Sequence, residues 1–508
     1  MTSRSDEGQT PVVSSMGKHL RYMTRQTVTY GLAPILSRAV GFLLLPLYTR
    51  FLSPADYGSL EIVTLITGIL NLLIGLEIRS SLVRIYLAYE RDDERNKAVS
   101  TAILLAVGVT AAVAFVVDIF RYQIVSVVLG NEAAAPLLRL ALGVLVCTNL
   151  SVVLYTYLQA RRMSSVYTTL WVVEFVITLI LNVAFVGWAR LGVRGILLGQ
   201  LVSVGGVGLG LGAWTLRHVG LKFSVGKARE MLAFGLPLIG VSVSGFAKST
   251  IDRTVLTALG SVSEVGLYSL GNRFATVLVV LVVMPFSLFW NAERFVIVKA
   301  QDGPRIMART LTYFVFGLCW GSLAISVWIG EVVQLMTTKE FWPAARVVPV
   351  LVFGYGLSGL SEFLVTGAFV QRRTGHIGMA SAAIGLVHIG LCAALGRAFL
   401  GLGIAWANVA TFAMATVAAY LISQRYYPIP FELGRIAKLL VVAGALFAAS
   451  HLAHAETPLV GVVMKMPFVV GYPVVLSVLG FLNPGERRWL VERAKTLWGK
   501  LHIETWGR

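Results

Sequence analysis

Unbroken apolar runs of about twenty residues, such as the one containing VLVVLVVMPFSLFW, recur along the whole chain. In helical form each spans the roughly 30 Å hydrocarbon core of a bilayer. A backbone in hydrocarbon must satisfy its own hydrogen bonds, which leaves helices and closed barrels. The runs do not alternate apolar and polar over about ten residues, so a barrel is excluded. The 508 residues are enough for several soluble domains, but 56% are apolar and only 13% charged. A soluble domain carries about 25% charged residues to cover itself. The chain therefore reads as an all-α membrane protein.

About fourteen spans are expected, near 28–50, 58–78, 98–118, 136–158, 166–187, 195–216, 232–254, 264–288, 310–330, 346–370, 376–396, 401–423, 436–453 and 458–481. The net charge of +18 sits mostly in short loops and not on a soluble basic face, so nucleic acid is not an expected partner. Every second loop is basic: Arg79 to Lys97, Arg161-Arg162, Arg217 to Arg229, Arg294 to Arg309, Arg372-Arg373, and Arg425 to Lys438. The N-tail 1–27 and the C-tail 482–508 are basic as well. This bias places both termini in the cytoplasm of a multi-pass inner-membrane protein. Trp489, Leu490, Leu497, Trp498 and Leu501 give the C-tail the pattern of an interfacial amphipathic helix.

The chain also repeats itself. Gly31 to Pro34 resembles Gly235 to Pro237. Ser53, Asp56 and Gly58 match Ser261, Glu264 and Gly266, Gln159 to Arg162 matches Gln371 to Arg373, and Leu191-Gly192 matches Leu400-Gly401. Spans one to six (28–216) and seven to twelve (232–423) are thus expected to form two related lobes, joined by a cytoplasmic linker at 217–231. Residues 424–481 add spans thirteen and fourteen, whose one intramembrane charge is Lys465. An even number of spans per lobe makes the repeats parallel, an architecture suited to alternating access.

A charge inside a span costs roughly 2.5–3.5 kcal/mol on insertion scales, so such residues mark function or pairing. Arg38, Lys248 and Arg273 lie on corresponding helices of the two lobes and are expected to line a cationic substrate cavity. A diphosphate suits such a cavity, because it is multiply anionic and matches arginine's donor geometry. The alternative is neutralisation inside the protein. Asp252, one turn from Lys248, and Glu174 and Glu362 are candidate charge partners or coupling groups. Arg253 is expected to snorkel to the surface. His388, alone on an apolar helix, reads more readily as a hydrogen-bonded packing residue than as a proton switch. The glycine string from Gly205 to Gly212 lies inside a span and lacks the Lys-Ser/Thr ending of a phosphate loop, so it reads as close helix packing. Cys147, Cys319 and Cys392 have neither disulfide nor metal spacing, and no cofactor is expected. No long external loop or acid cluster offers a catalytic site; Asp92-Asp93-Glu94 reads as a salt-bridged cytoplasmic face.

PLYTRFLSPADYGSLEI, which follows LSRAVGF, and STIDRTVLTALGSVSEVGLYSLGNRF resemble the polysaccharide-biosynthesis flippases of the Wzx type. These belong to the multidrug/oligosaccharidyl-lipid/polysaccharide exporter superfamily. The strings around Arg38 and Arg273 are also similar to those of lipid II flippases, where the matching arginines line the central cavity. The resemblance implies fourteen helices, with two six-helix lobes forming a V. It implies a non-enzymatic flippase that moves undecaprenyl-diphosphate-linked oligosaccharide across the cytoplasmic membrane for O-antigen, exopolysaccharide or capsule synthesis. A polysaccharide polymerase and a chain-length regulator are the implied protein partners. The competing readings are a multidrug or cation antiporter of the same superfamily, which calls for an acidic cavity, and a membrane glycosyltransferase or polymerase.

Overall fold

The computed structural model describes residues 42, 44–74, 78–129, 132–259, 262–370, 374–453 and 455–481; the side chains of 73, 129, 237–249, 292 and 374 fall outside that description. All regular structure among these residues is helical. Ten helices among them are long and apolar enough to cross a membrane. The first expected span lies mostly outside the described residues.

The chain divides into two compact units, Met1–Leu267 with Met336–Glu340, and Tyr268–Leu335 with Phe341–Arg508. The first begins with α1 (Leu45–Phe51), α2 (Pro54–Ile74), α3 (Ile78–Ala88) and α4 (Asp92–Ile119). It continues with α5 (Arg121–Leu129), α6 (Ala135–Ala160) and α7 (Ser164–Asn182), which runs on as a π-helical turn, Val183–Trp188. Then come α8 (Gly192–Val219) and α9 (Val225–Ala258). Its core gathers Leu82, Val99, Leu154, Leu158 and Met231.

In lipid, apolar side chains gain little by meeting each other, so close backbone approach and polar contacts must hold helices together. Both are present. A Cβ added at Gly208 would lie 2.7 Å from Ser151 Oγ, and one at Gly205 would lie 3.2 Å from Cys147 Sγ. Within the string, Gly205, Gly208 and Gly212 are therefore the positions at which α8 meets α6. Asn149 Nδ2 donates to Asn71 Oδ1 (2.9 Å), Thr178 Oγ1 to Ser203 Oγ (2.9 Å), and Tyr48 Oη to the buried Asn182 Oδ1 (2.9 Å).

The expected linker is short and clamped. Lys222 N donates to Ser100 Oγ (2.9 Å) and Ser224 N to Thr101 Oγ1 (3.1 Å). Lys222 pairs with Asp93 (3.3 Å) and the buried Lys227 with Glu94 (3.2 Å), with the Lys227 ammonium 3.0 Å over the Tyr89 ring. The acidic start of α4 is thus the ion-paired face expected, and its carboxylates also sit at the favourable end of that helix's dipole.

The second unit takes up α10 (Val262–Leu278) from Tyr268, a π-helical turn (Val279–Val283), and α11 (Met284–Ile297). There follow α12 (Gly303–Met336), a 3₁₀ segment (Lys339–Arg346), α13 (Val348–Leu364), α14 (Thr366–Val370), α15 (Thr374–Tyr426), α16 (Leu433–Ser450) and α17 (Pro458–Val478). Phe286 stacks on Phe314 (3.7 Å between centroids) and Trp290 on Phe363 (4.1 Å), with Trp290 Nε1 bonded to Thr366 Oγ1 (2.9 Å).

α15 holds 53 residues and as a straight rod would be about 80 Å long, far beyond a bilayer. It is a hairpin. Leu400 takes φ 49° and ψ −130°, and His388 Nδ1 lies 2.8 Å from Thr411 Oγ1 across the fold. The eleventh and twelfth expected spans are the two arms. α17 contains Pro467 and Pro473. Pro473 has no N–H to give the Val469 carbonyl, and Trp320 Nε1 of α12 supplies the missing donor at 2.9 Å.

Replacing Gly208 with Val should force α6 and α8 apart at a cost of about 1–3 kcal/mol, read as a lower unfolding temperature in detergent. Gly210→Val should leave that temperature unchanged, because an added Cβ there meets nothing within 4 Å.

Candidate functional site

α10 presents Arg273 on a face set by its neighbours. Tyr355 donates its hydroxyl to Asn272 Oδ1, Asn408 Nδ2 donates to Tyr268 Oη (3.2 Å), and Ala275 is fully buried. Residues 268, 272 and 275 lie on one stripe of the helix, which packs inward. Arg273, one residue on from Asn272, is turned about 100° from it and stays partly exposed. A guanidinium held there, well inside the Val262–Asn291 span, can offer paired N–H donors to a phosphate.

Arg38 lies outside the described residues, and so does the side chain of Lys248 on α9. Asp252, one turn further along α9, is buried. Glu174 on α7 accepts a hydrogen bond from Tyr155 Oη (2.8 Å), so its partner is a tyrosine and not an arginine. Glu362 on α13 is exposed, and its charge acts on Arg294 of α11, whose guanidinium lies over the Phe295 and Phe369 rings. His388 is buried on Thr411, with Cys392 Sγ 3.5 Å from its Nε2, which fits a packing residue.

One expectation is corrected. Arg253 does not snorkel: its guanidinium pairs with Glu61 of α2 at 3.5 Å, and the Glu61 side chain is only 7% exposed. A carboxylate this buried needs a cation beside it. Glu61 was visible as a lone carboxylate in the apolar run SLEIVTLITGIL, but its partner sits on a helix far along the chain.

The repeat has a physical counterpart at the N-terminal ends of α2 and α10. Ser53 and Asp56 form a capping box: Asp56 N donates to Ser53 Oγ (3.1 Å), and Ser53 N to Asp56 Oδ2 (3.1 Å). The matching Ser261 lies outside the described residues. The glycine match is reciprocal. A Cβ on Gly58 would collide with the Val262 carbonyl that begins α10, and one on Gly266 would collide with the Pro54 carbonyl that begins α2. Each helix thus uses the fifth residue of its own sequence to admit the first residue of the other.

The family model described as polysaccharide biosynthesis protein matches residues 23–290, more than half of the chain. The chain belongs to this family. No curated protein sequence matches it. Among solved structures, this polysaccharide biosynthesis protein superposes on the lipid II flippase MurJ in its inward closed conformation with a TM-score of 0.71. Identity is 13%, over 89% of this chain and 99% of that one. An inward-facing multidrug resistance MATE family transporter of the MOP superfamily gives a TM-score of 0.61 at 15% identity, covering 79% of this chain and 95% of that one. A MATE structure in the straight conformation gives 0.51 at 14%, covering 82% and 96%. These relatives are transporters, not enzymes, and this family member shares their all-helical, multi-pass membrane fold.

Removing the Glu61 carboxylate should strand the Arg253 charge. Glu61→Ala is expected to cost about 3 kcal/mol and lower the unfolding temperature in detergent. Glu61→Leu combined with Arg253→Leu should recover most of that loss, which a purely steric role for Glu61 would not allow.

Proposed function

We propose that this protein is a flippase that carries undecaprenyl-diphosphate-linked oligosaccharide repeat units across the cytoplasmic membrane for surface polysaccharide synthesis. The observation that carries the reading is the family match over 23–290 in a chain that folds like a lipid II flippase along nearly all of that flippase's length. The repeats 28–216 and 232–423 act as two six-helix lobes in an alternating-access cycle, with both termini in the cytoplasm. Arg38, Lys248 and Arg273 face the diphosphate, while the polyprenyl tail stays in lipid.

The physical logic is one of charge. A diphosphate cannot enter hydrocarbon alone, and a cationic, hydrated cavity replaces its water with fixed donors. Asp252, one turn from Lys248, offsets part of that positive charge when no anion is bound, or couples the cycle to an ion. Flipping requires that the two lobe arrangements differ in affinity for the headgroup, because a ligand shifts an equilibrium only by its differential affinity. The multidrug transporters of similar fold make an antiporter the second reading. That reading requires an acidic cavity for cations, whereas Arg273 stands in its span as a cation with partial exposure.

In a deletion strain, Arg38→Ala and Arg273→Ala should each lower surface polysaccharide at least about tenfold at unchanged protein level, the loss expected when one charged contact of roughly 1.5–3 kcal/mol is removed. Full surface polysaccharide in both variants would remove the cavity assignment. Changed drug sensitivity without a polysaccharide defect would favour the antiporter.

A further inference from the structure

Within the second unit, two adjoining cavities form one amphiphile-shaped recess. The first, about 410 Å³, is an open recess lined by α12, α13, α15 and α16 and is almost wholly apolar. The second, about 490 Å³, lies against the C-terminal ends of α12 and α16, the N-terminal ends of α13 and α17, and the turn of the α15 hairpin. Ser326, Pro349 and Phe447 line both, so the two are neighbours across these side chains. Each volume falls in the roughly 300–1,000 Å³ range of small-molecule sites.

The two parts differ in chemistry. The terminal cavity carries Arg346, His451 and Lys465. Lys465 is committed to Glu331 of α12, for which Gly461 makes room by lacking a side chain. Arg346 is exposed and makes no ion pair or side-chain hydrogen bond with the described residues. His451 Nδ1 donates to the Phe447 carbonyl (2.9 Å), which leaves Nε2 free to accept when the ring is neutral and to donate when it is protonated. The lysine and glutamate cancel, so the recess offers one uncompensated guanidinium and a histidine at its mouth.

Its depth is informative. From Ser326 down to Val315 on α12, and from Pro349 down to Leu360 on α13, the apolar wall runs about 16 Å. That is about half of a bilayer's hydrocarbon thickness, the reach of one leaflet. Inside a membrane the apolar part is filled by lipid chains. A chain lying there with its glycerol end upward brings its phosphate to Arg346.

We propose that this recess binds an anionic glycerophospholipid of the leaflet that meets the C-terminal ends of α12 and α16, with its phosphate on Arg346 and one acyl chain between α12, α13 and α16. In the orientation proposed above, that leaflet is the outer one. The assignment rests on the membrane embedding and not on the transported substrate. The occupant is a resident lipid: it steadies the contact of α16 and α17 with α12, where otherwise apolar walls would face a void.

The test uses the full-length protein in mild detergent, with phosphatidylglycerol, phosphatidylethanolamine or undecaprenyl diphosphate added and bound lipid counted by native mass spectrometry. The unmodified protein should retain phosphatidylglycerol about fivefold better than phosphatidylethanolamine, as one charge-assisted contact predicts. Arg346→Gln should abolish that preference. Gly444→Phe should reduce retention of both lipids, because an added side chain at Gly444 has open space and projects into the apolar wall. Unfolding temperatures of both variants without added lipid establish that they are folded. Equal retention of the two phospholipids by the unmodified protein overturns the proposal without reference to any variant. So does an unchanged preference in folded Arg346→Gln. Displacement of phosphatidylglycerol by an equal concentration of undecaprenyl diphosphate would make the recess a station for the transported lipid and would also overturn it.

Discussion

The cost of a bare charge in hydrocarbon organises this protein. Among the described residues, three charged side chains meet an opposite charge on another helix: Arg253 with Glu61, Lys465 with Glu331, and the buried Lys227 with Glu94. Breaking such a pair strands a charge at about 3–5 kcal/mol, so each also fixes which helices are neighbours. Polar neutral groups obey the same rule more cheaply. Asn182, Asn149, Thr178 and Trp320 each spend their donors or acceptors across helix interfaces. Arg273 lies inside its own span as a partly exposed cation.

Much of the fold was legible from apolar run length alone, since bilayer thickness dictates it. The expected spans at 98–118, 136–158 and 195–216 lie inside helices Asp92–Ile119, Ala135–Ala160 and Gly192–Val219. The helices extend past the apolar runs because polar first turns such as Asp92 to Glu94 are stabilised at helix N-termini outside the lipid. Short α3, α5 and the 3₁₀ segment at Lys339–Arg346 escaped the reading, because no bilayer constraint marks a helix of that length. Between the expected spans eleven and twelve the chain does turn, at Leu400, a leucine with positive φ.

The site was less legible. Intramembrane charges are easy to find in a sequence, but their partners are not, because pairing joins helices remote along the chain. Arg253 was therefore misplaced on the surface and Glu61 passed over. The repeat was a better guide. The match of Gly58 with Gly266 rested on two weak strings, yet both glycines prove to occupy equivalent steps of one reciprocal contact. That contact explains the residue type: at either position any side chain would strike a backbone carbonyl.

The chain belongs to a polysaccharide-biosynthesis family and shares its fold with a lipid II flippase, and the function proposed above makes an anionic lipid headgroup its cargo. The most direct test is headgroup translocation by the purified protein in proteoliposomes, using a fluorescent undecaprenyl-diphosphate oligosaccharide and a membrane-impermeant quencher. Protein-dependent transfer between leaflets that is lost in Arg273→Ala is the predicted result. Transfer that proceeds equally well in Arg273→Ala, or no transfer by a folded unmodified protein while a cationic drug is exchanged, would contradict the account.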